Sequence, residues 1–368
     1  MSVTTIPRPR AHTSDAGQVA GLLDVQDRAA FIRTGDLPAP DDVRLHPDKA
    51  KQLGLRPGDH VVATASGGKL VGVEAVNGRT EWRHRPHFGD LTPVHPRERL
   101  RLETESLSTR VIDLFAPIGK GQRGLIVAPP KAGKTMVLQA MAAAITRNHP
   151  EAHLMLVLVG ERPEEVTDMR ASVRGEVFSS TFDHPDRDHA RIAELAIGRA
   201  KRLVENGEDV VLLLDSLTRL GRAYNNLAPG GGRVLTGGLD ATALYPPKRF
   251  FGAARNVEGG GSLTILATAL IDTGSRMDNS LYEEFKGTGN MELHLVRDLA
   301  ERRLYPAVDL DASGTRREEI LLHPQERQAV WRLRRMLGTQ GRQQALEMLI
   351  GKLRETTSNA EFLLRASM

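Results

Sequence analysis

The stretch Gly124-Leu125-Ile126-Val127-Ala128-Pro129-Pro130-Lys131-Ala132-Gly133-Lys134-Thr135 decides the fold of this chain. Its apolar run leads through a turn into residues that favour a helix, from Met136 to about Arg147. A strand, a loop and a helix in this order place a helix N-terminus where it binds an anion. The pattern is close to G-x-x-x-x-G-K-[ST], with Ala128 at the position of the first glycine.

This phosphate loop, residues 128–135, predicts a site for a nucleoside triphosphate. We expect the backbone N–H groups of residues 131–135 to face the phosphates and Lys134 to neutralise the β- and γ-phosphate charge. We expect the Thr135 hydroxyl to ligate Mg²⁺. An ordinary turn that happens to contain Gly-Lys-Thr is the alternative, and the flanking strand and helix favour the triphosphate site.

Composition narrows the class of protein. At 368 residues the chain is long enough for two or three domains. Its 50 basic and 46 acidic residues permit a nucleic-acid partner without demonstrating one. The sequence has no cysteine, which excludes disulfides and thiolate chemistry. No apolar run approaches the ~20 residues of a membrane span, so we expect a cytoplasmic protein without a membrane partner.

The N-terminal part is expected to form a small barrel. After a flexible tail at residues 1–18, runs of β-type residues alternate with turn residues over 19–85. The expected strands span residues 21–25, 29–34, 42–46, 59–65 and 70–76, which predicts a barrel of OB or cold-shock type. Phe31 is the aromatic residue of these strands, so the platform for stacking RNA bases is thin. A purely structural barrel is the alternative.

The remainder of the chain predicts an α/β domain. Residues 86–110 are expected to be a basic linker. Over residues 111–368, apolar runs of strand length alternate with helical patterns, which predicts a mainly parallel sheet with helices on both faces. The expected buried strands span residues 125–128, 154–159, 210–215 and 263–271, and C-terminal helices are expected at 325–337 and 343–353.

Two carboxylates follow these strands. Asp215 ends the strand at 210–215 and lies where it can hold a water bound to Mg²⁺. Glu161 follows the strand at 154–159, where it can polarise the water that attacks the γ-phosphate. Capping of the next segment is the alternative role for Asp215.

Two loops and one arginine cluster are further candidates. Residues 230–238, here termed the glycine loop, have a glycine density that predicts a mobile loop carrying Arg233, with a plain surface loop as the alternative. Residues 271–276, termed the strand-end loop, directly follow a core strand. An arginine that reaches the γ-phosphate of a neighbouring subunit would make hydrolysis depend on assembly. Spacing alone does not choose among the candidates, which are Arg302, Arg303, Arg316 and Arg317.

With these residues in place, the chain resembles the Rho family, which are hexameric RNA-dependent ATPases and 5′→3′ RNA–DNA helicases that terminate bacterial transcription. The similarity is dense from residue 117 onward and is carried by segments that include 119–135, 161–167, 215–219, 234–238 and 313–316. It implies a RecA-like P-loop ATPase domain behind an RNA-binding barrel, with ATP and Mg²⁺ as ligands. It implies a homohexamer, nascent single-stranded RNA and the RNA polymerase elongation complex as partners.

The resemblance also implies roles for individual residues. The implied catalytic residues are Glu161, Lys134, Arg316 as a finger donated in trans, Arg162 and Arg303. The implied nucleotide and metal ligands are Pro130, Lys131, Ala132, Gly133, Lys134, Thr135, Met136, Tyr305 and Asp215. The implied RNA contacts are Arg233, Val234, Thr236, Gly237, Thr273, Gly274, Ser275, Arg276, Lys286 and Phe31.

Several positions depart from the family pattern. Gly160 stands where Asp is usual, and Arg233 and Arg276 stand where Lys is usual. The barrel has Ala29 and Ala30 where the family places a Gly/Phe-rich strand, which predicts a weaker dependence on cytidine-rich RNA. These departures leave two alternatives open: a regulatory or antagonist subunit of ordinary Rho rings, and a stand-in ring that resists an inhibitor acting near Glu161.

Overall fold

The computed structural model describes residues 17–230 and 232–366. The tail expected at residues 1–18 lies outside the described residues except for its last two, which already belong to the first strand. None of the helices in the described ranges has the length and apolarity needed to cross a membrane.

A closed five-stranded barrel forms the N-terminal part of the structure. Its elements are β1 (Gly17–Val25), β2 (Ala30–Arg33), β3 (Val43–Leu45), α1 (Pro47–Gln52), β4 (His60–Ser66) and β5 (Lys69–Val76). The strands follow the order β1, β2, β3, β5, β4, and β4 pairs back onto β1. Alternate side chains such as Leu23, Ile32 and Val61 point inward and form the barrel core.

The segment expected to be a linker packs against the larger domain instead. Its elements are β6 (Pro93–Val94) and the start of α2 (Leu107–Phe115). Strand β6 pairs with Asn256 and Val257 at the edge of the main sheet. Arg99 is almost buried and forms an ion pair with Asp113 at 2.9 Å, so the basic residues of this segment are partly structural.

The larger domain has three layers. Its first half consists of β7 (Arg123–Ala128), α3 (Lys134–Asn148), β8 (His153–Glu161), α4 (Pro163–Ser172), β9 (Glu176–Thr181), α5 (Asp186–Glu205), β10 (Asp209–Asp215), α6 (Leu217–Leu227), β11 (Val234–Leu235) and β12 (Leu239–Asp240). The second half consists of α7 (Tyr245–Phe251), β13 (Arg255–Val257), β14 (Ser262–Leu270), α8 (Arg276–Lys286), β15 (Met291–His294), α9 (Arg297–Glu301), β16 (Gly314–Thr315), α10 (Pro324–Leu337), α11 (Arg342–Arg354) and α12 (Asn359–Ala366).

The main sheet has the strand order β16, β15, β7, β14, β10, β8, β9, and the strands from β15 to β9 run parallel. Successive residues of β7 face opposite layers: Leu125 joins the core beneath α5, and Ile126 joins the core beneath α3. The helices therefore cover both faces, as predicted. Because parallel strands end at the same edge, β7, β8 and β10 bring the phosphate loop, Glu161 and Asp215 together.

The barrel rests on helix α5 through a contact between two backbones. A Cβ added to Gly58 would lie 2.1 Å from the carbonyl carbon of Gly198, and Gly58 has φ +82°. Beside this contact Arg56 Nη1 donates to Glu205 Oε2 at 3.2 Å. Only glycine allows this approach.

We expect Gly58→Ala to reduce the free energy of unfolding by about 2–3 kcal/mol more than Gly67→Ala does. Both glycines have positive φ, +82° and +54°, but a Cβ at Gly67 meets no atom within 4 Å. The control variant Gly67→Ala therefore loses only the free energy needed to place alanine in a left-handed backbone conformation. Urea unfolding followed by circular dichroism measures both variants, and equal losses would mean that the close contact at α5 does not hold the barrel.

Candidate functional site

The phosphate loop turns sharply between β7 and α3. Lys131 has φ +68° and Gly133 has φ +91°, so two residues of the loop adopt left-handed backbone conformations. Helix α3 then begins at Lys134, and the N–H groups of its first turn have no acceptor within the helix. A loop of this shape directs amide hydrogens at one point and suits a phosphate.

Three charged side chains form a buried cluster at the end of the sheet. Lys134 Nζ lies 3.0 Å from Glu161 Oε1 and also contacts Asp215 Oδ1. The exposed fractions of the three side chains are 15% for Lys134, 6% for Glu161 and 2% for Asp215. Arg219 Nε forms an ion pair with Glu161 Oε1 at 3.2 Å. The cluster thus joins the ends of two strands, β8 and β10, to helices α3 and α6.

Burial and charge set the protonation of this cluster. Burial, followed by the negative charge of Asp215, raises the pKa of Glu161 above its usual value, against the effect of Lys134 and Arg219. Burial opposes the charge on Lys134, but Asp215 and Glu161 outweigh it and raise the pKa of the ammonium group. Lys134 therefore stays charged, and a phosphate has to compete with two carboxylates for it.

The residues expected to contact the adenine of the nucleotide flank the phosphate loop. The ring of Tyr305 packs against Gly133, where an added Cβ would lie 3.3 Å from Tyr305 Cε1. Met136 lies in the first turn of α3 and its side chain is exposed. Arg297, which sequence reasoning missed, donates from Nε to the carbonyl oxygen of Pro130 at 3.1 Å. This hydrogen bond ties helix α9 to the phosphate loop.

The candidate arginines lie outside the buried cluster. Arg316 follows β16 at the sheet edge, and its side chain is exposed to solvent. Arg162 is exposed too and lies 3.8 Å from Glu165. Arg303 is exposed with φ +60°. Within the described residues, none of these three side chains forms an ion pair with Glu161 or Asp215, whose cationic partners are Lys134 and Arg219.

The two loops predicted from glycine content and strand position meet in the structure. A Cβ on Gly237 would lie 2.7 Å from the backbone carbon of Arg276. The prediction that the glycine loop lacks regular structure is wrong. Strands β11 and β12 pair there as a short hairpin, with Val234 opposite Asp240. This short hairpin exposes Arg233 and Val234, and an open cavity of about 540 Å³ beside it is lined by Arg222, Asn226, Gly237, Ser275, Arg276 and Met277.

The strand-end loop is held by a buried carboxylate. Asp278 accepts hydrogen bonds from Thr273 Oγ1 at 2.6 Å and from Arg222 Nε at 2.7 Å. Ser275 caps α8 by accepting from the Asp278 N–H at 3.4 Å. Gly274 has φ +79°, which lets the loop turn back toward α8. Arg276 is thereby presented next to the glycine loop.

Two of the candidate RNA residues are placed elsewhere. Lys286 is the last residue of α8, so it lies about 15 Å along the helix from Arg276 and does not join the two loops. Phe31 lies on the barrel, with the Arg33 guanidinium 4.3 Å above its ring. Arg33 is itself bound by the buried carboxylates of Asp24 and Asp42.

Gly160 has a backbone reason for being glycine. Its φ is +66°, and an added Cβ would lie 3.1 Å from Cδ of Arg219. The pairing of β8 with β9 is also irregular between Val159 and Glu161. Gly160 therefore leaves room for the arginine that contacts Glu161.

Comparison with protein families identifies the larger domain. The ATP synthase alpha/beta family, nucleotide-binding domain, matches residues 108–315, which is more than half of the chain. An ATPase from the type III secretion system of pathogenic bacteria has the same fold, with a TM-score of 0.59, 23% identity and coverage of 67% of this chain and 70% of that chain. The chain is therefore an ATP hydrolase with a RecA-like domain.

Two relatives with similar sequences identify the family of the whole chain. Transcription termination factor Rho of Streptosporangium roseum is 72% identical over 360 residues, which cover 97% of this chain and 94% of that protein. Transcription termination factor Rho of Streptomyces lividans is 62% identical over 94% of this chain, which spans 51% of that protein's length. The residues compared include the phosphate loop, both carboxylates and both loops. The chain therefore belongs to the Rho family of transcription termination factors.

Proposed function

We propose that this chain is an RNA-dependent ATPase and 5′→3′ RNA–DNA translocase that assembles into a homohexamer and removes the nascent transcript from RNA polymerase in the cytoplasm. One observation carries the proposal: helix α6 contacts both the catalytic carboxylate and the two loops. Arg219 pairs with Glu161, Arg222 pairs with Asp278 behind the strand-end loop, and Asn225 donates to the backbone of the glycine loop. A change at the ATP site is thereby passed to RNA-binding loops.

The ATP site works by exchange of partners around Lys134. A bound triphosphate takes the ammonium group away from Glu161 and Asp215, which hold it in the structure. Glu161 then polarises the attacking water, and its raised pKa suits a general base. Amides of residues 131–135 bind the phosphates, and Arg316 stabilises the transferred charge from the neighbouring subunit.

The residues present fit Mg²⁺. Thr135 lies in the first turn of α3, beside Lys134, and the Asp215 carboxylate contacts Lys134, so a hydroxyl and a carboxylate of the type that Mg²⁺ prefers are available next to the phosphate loop. The Thr268 hydroxyl donates to Asp215 Oδ1 at 2.7 Å and orients this carboxylate. When bound, Mg²⁺ neutralises charge on the β- and γ-phosphates.

RNA is proposed to bind in two places. Arg233, Val234, Thr236 and Gly237 of the glycine loop and Thr273 through Arg276 of the strand-end loop line the inner site, whose cations and backbone contact phosphates. The barrel, whose strand order supports an OB assignment over residues 19–85, provides an outer site at Phe31. Arg33 is neutralised by two carboxylates, so this outer site is weak.

We expect single-stranded RNA to raise kcat for ATP hydrolysis by at least about tenfold, with poly(C) only slightly better than other RNAs. Phe31→Ala should raise the RNA concentration needed for half-maximal stimulation by about fivefold, the low end of the effect of one stacked base, which contributes about 1–3 kcal/mol. Steady-state ATPase assays with poly(C), poly(U) and single-stranded DNA measure both effects. An ATPase rate that no RNA stimulates would refute the proposed function.

A further inference from the structure

The turn that carries Arg316 is fixed on one side by the sheet. Thr315 pairs with Met291 of β15, and the Arg316 N–H donates to the carbonyl oxygen of Asn290 at 2.9 Å. Immediately afterwards the chain leaves the sheet at Arg317, whose φ of 59° is left-handed. A residue other than glycine is strained there, so contacts beyond it have to hold the turn.

Those contacts come from helix α10. The indole Nε1 of Trp331 donates to Glu318 Oε1 at 2.7 Å. Arg334 lies 3.8 Å from Glu318 Oε2 and donates to the carbonyl oxygens of Leu310 at 3.2 Å and Ser313 at 3.1 Å. Residues 310–318 are thus held at both ends by one helix.

Trp331 contributes little to the core of α10. The core-facing side chains of this helix are Val330, Leu333 and Leu337, which are buried, whereas Trp331 is 41% exposed. Its outer ring face is covered by Arg327, whose guanidinium lies 5.2 Å from the ring centroid. The hydrogen bond to Glu318, in the turn that follows Arg316, is therefore the main directed contact of this side chain.

We propose that Trp331 is a positioning residue for Arg316, acting through Glu318. The inference rests on the proposed function, in which Arg316 completes the ATP site of a neighbouring subunit. Without the indole N–H, the Glu318 carboxylate loses its hydrogen bond to Trp331. The left-handed backbone at Arg317 can then relax, which displaces Arg316. A displacement of about 1 Å at a catalytic group lowers a rate by up to about a hundredfold. ATP binding, which depends on the neighbour's phosphate loop, is unaffected.

The test compares variants of the two residues that form this hydrogen bond. We expect Trp331→Phe to lower the RNA-stimulated kcat about tenfold and to leave KM for ATP within about twofold. Glu318→Gln keeps an acceptor for the indole and should stay within about twofold of the parent kcat, whereas Glu318→Leu should match Trp331→Phe. The double variant Trp331→Phe/Glu318→Leu should be no slower than either single variant.

The matched control is Trp82→Phe. It removes the other indole hydrogen bond of the chain, from Trp82 Nε1 to the Leu53 carbonyl oxygen at 2.8 Å in the barrel, and should leave the saturated kcat unchanged. An unchanged kcat in Trp331→Phe, or equal losses in Glu318→Gln and Glu318→Leu, would overturn the inference. If Arg316→Ala is inactive in the same assay, the proposed function stands without it. If Arg316→Ala retains the parent RNA-stimulated kcat, Arg316 has no catalytic role and the inference fails, whereas the proposed function fails only if no RNA stimulates hydrolysis by the parent protein.

Discussion

Replacing Lys134 by alanine will lower the kcat for ATP hydrolysis by at least about a thousandfold and weaken ATP binding severely. Lys134 is the cation shared by Glu161 and Asp215 at the start of α3. Without it, two carboxylates face the phosphate loop with no ammonium between them, and they repel a triphosphate. Steady-state hydrolysis with saturating RNA and equilibrium binding of a fluorescent ATP analogue measure the two effects.

Glu161→Gln is the variant that separates binding from chemistry. It keeps the contact between Lys134 and Asp215 but removes the proposed general base, so hydrolysis should fall by about 10²–10⁴ while ATP binding remains. Thermal unfolding of both variants controls for stability, because Lys134→Ala leaves the buried Asp215 without its paired cation, while Glu161 keeps Arg219. Wild-type ATP affinity in Lys134→Ala would show that the triphosphate does not bind at residues 131–135.

The strands and the phosphate loop could be predicted because they depend on local sequence. A short, continuous apolar run such as 210–215 is typical of a strand that is buried on both faces. The structure confirms this prediction, because β10 spans Asp209–Asp215. The edge where parallel strands end follows from topology alone, so the meeting of Glu161 and Asp215 with the loop could be predicted as well. The boundary of β1 could not, because Gly17 has no β propensity and is held by pairing with Ala65.

Sequence patterns could not predict which residues contact the site residues. Arg219, Thr268 and Arg297 come from different elements, and their spacing in the chain bears no relation to Glu161, Asp215 or Pro130. Arg219 lies within residues 215–219, a segment that carried the family resemblance, which is the signal that could have found it.

Tertiary contacts also explain the differences from the predictions. The glycine loop contains a hairpin because β12 is anchored by Asn225, whose side chain accepts from the Asp240 N–H at 2.7 Å. Lys286 is separated from the strand-end loop by the whole of α8, which its proximity in sequence conceals. The linker at residues 86–110 packs because β6 completes an edge of the main sheet.

Arg316→Ala will lower the RNA-stimulated kcat by about a thousandfold and leave the affinity for ATP within about twofold. The reason is its place: Arg316 is exposed at the edge of the sheet, outside the cluster of Lys134, Glu161 and Asp215 of its own chain. In the proposed hexamer, a guanidinium there stabilises the γ-phosphate bound by the neighbouring subunit. It acts on charge that develops in the transition state, so binding in the ground state is spared.

Arg317→Ala is the matched control for this prediction, since it removes an equal charge from the adjacent exposed residue, where alanine has to adopt the same left-handed backbone conformation as the arginine it replaces. It should retain at least about half of the parent kcat. Mixing Arg316→Ala with Lys134→Ala tests donation in trans, because some interfaces of mixed rings pair an intact Lys134 with an intact Arg316. Hydrolysis above the sum of the separate variants is then expected, whereas an arginine acting within its own chain would give no gain. Full activity of Arg316→Ala alone would show that another arginine stabilises the transferred phosphate.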